Sequence, residues 1–542
     1  MTMEPLNATL PQPTAATPAL LESLAAIVGA GNVTADDAKR KLHSEDIWAR
    51  SQEVVALIVS PATTEELAAV VKAIGEAGCS IAPRGAGMSY TSAYVPANGH
   101  TVSIDMLRMN RIVSVNRADM TVTVQAGVNW TQLNEALARE GLRTPFWGPM
   151  SGLTSTIGGG LSQLNAMFGA SQYGTSSESV VALTVVTGTG EVIRTGARGQ
   201  GGEHPFYRHF GPDLAGIFCG DCGTLGIKAE VTFRLIAAPA HEDYASFSFP
   251  SGEKLLEAMG EMSRAGIACE MCAFDPGLTE VRMKRMSLMS DVKTLGAVIG
   301  KEKSLGKGLL SAAKVALGGR NFIPKGDYPL HVIAEGRSKD AVAFDLAEAR
   351  RIARAFGGTE IENSIAKIIR ANPFPPLNSM LGPTGEAWIP VHGVCPLSTA
   401  PQIFTEIQQF YADNAALFTE HEIHTGFLFT GMASNALIIE PVFFWPTGWR
   451  PIHEQSMEAT HVARLTQRPE NPAATEAVKF LRKGVVAICA RYGTGHFQIG
   501  RTYPYRESRD PAFTALLDTL KAHLDPQGLF NPGVLGFPEG QA

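Results

Sequence analysis

SIAPRGAGMSY, residues 80–90, runs from an apolar strand, Ser80–Pro83, straight into a glycine turn. Upstream, Thr63 or Thr64 can cap a helix whose first turn carries Glu65 and Glu66. Leu67, Val70, Val71 and Ile74 follow at helical spacing. Two further clusters of small residues lie downstream. One is Thr154-Ser155-Thr156-Ile157-Gly158-Gly159-Gly160, continuing to Asn165 and to Tyr173-Gly174-Thr175-Ser176-Ser177. The other is Gly220-Asp221-Cys222-Gly223-Thr224-Leu225-Gly226-Ile227. Glycines permit φ > 0 and close backbone approach, and runs of free N–H groups cradle anionic oxygens. Three such loops in one region predict a large phosphate-bearing cofactor lying across it; taken singly, each is also a plain hairpin turn.

The surroundings set the class. TVSIDM, IVSVN, TVTVQAG and VVALTVVTGTGEVIRTG alternate apolar and polar residues and read as strands, so residues 51–238 form an α+β domain with much antiparallel pairing. Residues 1–50 read as a polar leader and a helix ending near Trp48. Residues 239–500 mix helices (Ser338–Phe356, Ala400–Asn414) with strands (His421–Phe429, Ala436–Phe444). Residues 501–542 hold an amphipathic helix over 510–524 and a DPQGLFNPG turn. With 46 Lys+Arg against 52 Asp+Glu, the chain is mildly acidic, which argues against a nucleic-acid partner. No apolar run is long enough to span a bilayer and no secretion signal is visible, so a cytoplasmic protein is expected. One segment departs from this balance: residues 282–325 hold ten Lys/Arg against two acids. It reads as a solvated face or as a docking patch for an acidic electron acceptor, a membrane surface or another subunit.

No G-x-G-x-x-G follows a predicted strand, and Walker, G-x-S-x-G and HExxH sequences are missing. The seven cysteines include the CxxC pairs Cys219/Cys222 and Cys269/Cys272. Their spacing suits zinc or an iron–sulfur cluster, but the first pair falls inside the third glycine-rich cluster, and no metal site is assigned.

PRGAGMS, SIDMLRMNRI, VTVQAGV, TSTIGGGLS and DLAGIFCGDCGTLGI, in that order, resemble the FAD-binding domain of the vanillyl-alcohol-oxidase/p-cresol-methylhydroxylase superfamily. LDPQGLFNPGVLGFP resembles the family's C-terminal return to that domain. The resemblance implies a two-subdomain FAD-binding domain plus an α+β cap with an antiparallel sheet. It also implies FAD held by Pro83, Arg84, Gly85, Ala86, Gly87, Met88, Ser89 and Tyr90. Further contacts are implied from Thr154, Thr156, Ile157, Gly159, Gly160, Asn165, Tyr173, Gly174, Ser177, Gly223, Gly226, Ile227 and Asn531. Met88 stands where some relatives carry a flavin-linking histidine, and no histidine lies between Met432 and Glu440, so FAD is expected to be non-covalent.

Within the cap, GEAWIPVHGVCPLST and FLFTGMASNALIIEPVFFWP look like the branch that oxidises phenols and aromatic alcohols. That branch's phenolate-binding Tyr-Arg pair falls at Phe497-Gln498. The hydroxy-acid branch's H-x-G-D-G-N-x-H segment is also missing, and Gly495 replaces the Glu of its E-H-G-I-G segment. Oxidising a C–H beside a hydroxyl needs a group to accept the hydroxyl proton. His496, in a glycine-rich turn, and Glu440, flanked by apolar strand residues, are the candidates, with Arg501 or Arg506 as a carboxylate clamp. His392 and His424 read as structural, and Phe443, Phe444, Trp445 and Trp449 as core packing or an aromatic pocket. The expected activity is hydride removal from a C–H next to a hydroxyl, or from a benzylic C–H, of a small aromatic or phenolic alcohol, with O2 or a carrier protein as electron acceptor. The alternatives are a 2-hydroxy-acid dehydrogenase and a non-catalytic flavin-binding partner subunit. A homodimer is expected from the relatives.

Overall fold

The computed structural model describes residues 18–198, 204–281 and 323–539. The charge-rich segment 282–325 therefore lies outside the described residues up to position 322. The helix Thr64–Glu76 starts where the sequence places it. Thr63 Oγ1 accepts the Glu66 N–H at 3.1 Å, and Leu67, Val70, Val71 and Ile74 form its buried face. That face covers a small sheet in which Val102–Asp105 pairs in parallel with both Leu57–Val59 and Ile81–Arg84. The expected strand thus extends through Arg84, and these three strands run parallel, with the short Val33–Thr34 antiparallel at the edge beside Leu57–Val59. The helix is the crossover that lets Ile81–Arg84 run in the same direction as Leu57–Val59, on the other side of Val102–Asp105.

The second subdomain is a five-stranded antiparallel sheet in the order Ile112–Asn116, Thr121–Gln125, Ile227–Arg234, Val180–Val186, Val192–Arg194. The third glycine-rich loop enters its central strand. Near the C-terminus the helix Pro511–Leu524 leads to a segment that returns beside Ile81: Ile81 N–H donates to Leu529 O and Asn531 N–H to Ile81 O.

The cap is an eight-stranded antiparallel sheet. Its order is Thr359–Ile361, His241–Phe249, Tyr328–Gly336, Glu270–Phe274, His424–Met432, Ala436–Trp445 and Ala387–Pro390, and Gly393–Pro396 also pairs with Ala436–Trp445. The helices Gly252–Ala265, Lys339–Ala355 and Ala400–Asp413 pack on this sheet. The strand expected from His421 begins at His424, because the helix Ala415–Glu420 runs up to it and Glu422 turns at φ 50°. The architecture is α+β with a cap, as expected. All seven cysteines are free thiols, and among the described residues no group of three or more His, Cys, Asp or Glu could hold a metal.

Candidate functional site

A cavity lies between the glycine-rich loops and the cap sheet. Its cap wall follows from strand alternation: successive side chains point to opposite faces. Ile438, Glu440, Val442 and Phe444 alternate along Ala436–Trp445, and all four line the cavity, joined by Leu428 and Thr430 of the paired strand and by Trp388. The intervening Leu437, Ile439, Phe443 and Trp445 are buried in the core. Of the four-residue aromatic cluster, only Phe444 therefore reaches the cavity.

The opposite wall gathers residues from all three glycine-rich segments. Pro83 through Tyr90 all line it, as do Thr156, Gly159, Gly160, Asn165, Gly223, Gly226, Ile227 and Asn531. The other expected contacts do not. Thr154 sits in a turn closed by its N–H on Ser151 O. The Ile157 side chain is buried among core residues. Tyr173 ends the short helix Ala170–Tyr173, which packs on the cap strand His424–Met432, Gly174 and Ser177 come just after it, and none of the three lines the cavity. Gly158, Ser155 and Lys228 join the wall beyond the expected set. Lys228 donates to Asp221 Oδ1 at 2.6 Å, and both side chains are buried.

This wall is built for an anionic, close-fitting group. Among the described residues, the backbone N–H groups of Gly85 through Tyr90 find no acceptor. The buried Arg84 Nε, Ser155 Oγ and Gln498 Oε1 also lack hydrogen-bond partners, and all three residues line the cavity. Buried polar atoms are rarely left this way unless a ligand or water completes them. A Cβ at Gly158 would stand 2.7 Å from Ala126 Cβ, so the backbone there approaches closer than any side chain permits. Cys222, Gln498 and Asn531 hold left-handed φ of 50°, 52° and 41° at the lining, a conformation non-glycine residues adopt at a cost.

Of the three candidate catalytic residues, only Glu440 lines the cavity. His496 stands behind the wall. Its Nδ1 donates to His392 O at 2.6 Å, its ring stacks on Tyr503 at 4.0 Å, and burial lowers its pKa. Arg501 is spent on the backbone, donating to the carbonyls of Ser92, Val95 and Pro532. Arg506 pairs with Asp518 through two bonds of 2.7 Å. Neither arginine lines the cavity, and each has its acceptors elsewhere.

What the sequence reading missed is His392. It is fully buried, its Nε2 lies 2.6 Å from Tyr90 Oη and 3.8 Å from Glu440 Oε2, and Phe497 stacks on it at 4.1 Å. Burial holds its pKa well below the usual histidine value, so the ring is neutral. Gln498 Nε2 donates to Tyr90 Oη at 2.9 Å, and Tyr503 Oη accepts the His392 N–H at 2.7 Å. No local signal in VHG distinguishes this histidine; its partners are 302 and 111 residues away.

The model of the FAD-linked oxidase C-terminal domain matches residues 238–535, more than half of the chain, and that of the FAD-binding domain matches residues 55–196. The chain belongs to the FAD-linked oxidase family. FAD is its cofactor, and its fold is that of p-cresol-methylhydroxylase-type flavoproteins, as the resemblance implied. The structure of p-cresol methylhydroxylase with substrate bound superposes with a TM-score of 0.70 at 15% identity, covering 98% of this chain and 99% of that one. An alkyldihydroxyacetonephosphate synthase structure gives 0.70 at 18% identity, covering 96% and 86%. In sequence, the mitochondrial D-lactate dehydrogenase [cytochrome] 1 of Saccharomyces cerevisiae is 28% identical over 256 residues, 46% of this chain and 42% of that protein. The chain thus spans about half the length of the curated relatives it matches. Among the described residues, no helix is long and apolar enough to cross a membrane.

Proposed function

We propose that the protein is an FAD-dependent oxidoreductase that takes a hydride from the C–H beside the hydroxyl of a small, uncharged aromatic alcohol. FAD, when bound, supplies the hydride acceptor. The observation that carries the reading is the composition of the cap end of the cavity. Trp388, Phe444, Phe497, Leu428, Ile438 and Val442 make an apolar, aromatic chamber around one carboxylate, Glu440. Among the described lining residues the cations are Arg84 and Lys228, both on the wall of the glycine-rich loops. Among the described lining residues, none of the cations stands on the cap wall to receive the carboxylate of a 2-hydroxy acid placed beside Glu440. The glycine-rich wall, with its unused N–H groups, holds the diphosphate. Glu440 accepts the hydroxyl proton while the aromatic walls orient the ring and exclude water.

The relatedness to D-lactate dehydrogenase supports the second reading, a hydroxy-acid dehydrogenase. An anaerobic absorbance scan separates the two. Vanillyl-type alcohols are expected to bleach the flavin band, while D-lactate, glycolate and D-2-hydroxyglutarate leave it unchanged. Bleaching by the acids alone would reverse the assignment, and a flavin that no alcohol or acid reduces would indicate a non-catalytic partner subunit. The cofactor itself is expected to be non-covalent, Met88 standing at the linking position. Acid precipitation should then leave the yellow colour in the supernatant; a yellow pellet would show a covalent link.

A further inference from the structure

The hydrogen bonds around Tyr90 assign the direction of its hydroxyl. The His392 main-chain N–H can only donate, and it does so to Tyr503 Oη at 2.7 Å. Tyr503 Oη also lies 3.3 Å from His392 Nδ1 and has no other partner among the described residues. If the imidazole carried its proton on Nδ1, the buried Tyr503 hydroxyl would be left with a hydrogen and nowhere to place it. With the proton on Nε2, Tyr503 donates to Nδ1 and Nε2–H donates to Tyr90 Oη at 2.6 Å. Gln498 Nε2 supplies a second donor to the same oxygen at 2.9 Å. Both lone-pair positions of Tyr90 Oη are then filled, and its own O–H is free to point into the cavity that Tyr90 lines.

Gln498 is held for this task. Its backbone is left-handed at φ 52°, and its N–H is fixed on Gln163 O at 2.7 Å. The carboxylate of Glu440 stands 3.8 Å from the same imidazole nitrogen, so the donor Tyr90 and the acceptor Glu440 border one spot on the cavity wall. A hydroxyl is the group that can bond to both, donating to the carboxylate and accepting from the phenol. The carbonyl left after oxidation keeps the bond from Tyr90. A benzylic C–H without an oxygen satisfies neither.

We infer that Tyr90 is a substrate-binding hydrogen-bond donor, oriented by His392, Gln498 and Tyr503, and that with Glu440 it selects aromatic alcohols over alkylarenes of the same shape. This rests on the reading given under Proposed function and adds to it the side chain that selects the hydroxyl-bearing substrate.

The test uses the FAD-loaded protein and two probes of matched shape that differ in C=O against C=CH2, vanillin and 2-methoxy-4-vinylphenol. Their dissociation constants are read from the shift they cause in the flavin absorbance band, with no turnover required. Wild type is expected to prefer vanillin about 10-fold, and Tyr90→Phe to bring the two together while retaining FAD at the wild-type absorbance ratio. If Tyr90→Phe does not fold, Gln498→Leu carries the test, with the preference falling at least about 3-fold because one orienting donor is lost. Equal affinities in wild type, or a preference unchanged in the variants, overturns the inference while leaving the bleaching result standing. Binding of neither probe, together with no bleaching by any aromatic alcohol, overturns the functional reading and the inference with it.

Discussion

With Glu440 replaced by glutamine, flavin reduction by the preferred aromatic alcohol is expected to slow about 100-fold or more, the usual loss when a positioned proton acceptor is removed. Glutamine keeps the size and one acceptor oxygen but is far too weak a base to take the hydroxyl proton. FAD content should not change, because Glu440 projects from the cap strand Ala436–Trp445 and the glycine-rich loops form the opposite wall. The loss should fall on kcat, with KM moving only a few-fold, since the carboxamide still accepts the hydrogen bond in the ground state. Stopped-flow reduction under anaerobic conditions separates the two quantities. A rate within about 3-fold of wild type would make the carboxylate a wall residue only and would remove it from the proposed chemistry.

That residue also shows how far sequence reading carries. Ile438, Glu440, Val442 and Phe444 share a face because a strand alternates, and the segment ALIIEPVFFW by itself places them on alternate positions. What alternation leaves open is which face meets a cavity and which meets helices; that depends on packing by elements far along the chain. The loop Pro83–Tyr90 is legible for a different reason. Its small residues follow a strand within a few positions, so the local pattern contains most of the geometry.

A histidine in a glycine-rich turn and an arginine just after it look available in sequence, yet His496 and Arg501 do not line the cavity. Their availability is decided by distant carbonyls, His392 O for one and Ser92, Val95 and Pro532 O for the other. His392 escapes notice for the converse reason. An isolated histidine between two apolar stretches carries no mark of the Tyr90, Gln498 and Tyr503 groups that surround it. Side-chain chemistry is legible in both cases; long-range placement decides the roles.

Replacing Arg370 by methionine is expected to be the most destabilising single change in the cap. Its guanidinium bonds Glu242 at 2.7 Å, Glu270 at 2.9 Å and Glu335 at 2.6 Å, one carboxylate from each of three neighbouring strands. Glu242 and Glu335 are directly opposite across their pair, an arrangement that repels without a cation between them. Arg143, on the FAD-binding side, shares Glu335, and Trp147 lies within cation–π reach of both guanidinium groups, at 5.6 Å and 4.8 Å. The network therefore ties the cap sheet to the segment just ahead of Pro149-Met150-Ser151, which lines the cavity.

Methionine fills the volume but leaves buried carboxylates uncompensated, a change that costs about 3–5 kcal/mol. The pH dependence identifies the cause. Burial raises the Glu270 pKa and Arg370 opposes that rise, so the variant's folded-state pKa lies higher still above the unfolded value. A group of that kind contributes stability that is fully present below its unfolded pKa and is lost as pH rises through the folded one. The deficit should thus be smaller at pH 5.5 than at pH 8, measured by urea unfolding of the FAD-loaded protein at both values. A pH-independent loss below about 1 kcal/mol would mean that water reaches these carboxylates once the arginine is gone. The cap would then be held to the FAD domain by apolar contacts such as Phe374 of the cap against Trp147 at 5.8 Å and Phe168 at 5.9 Å.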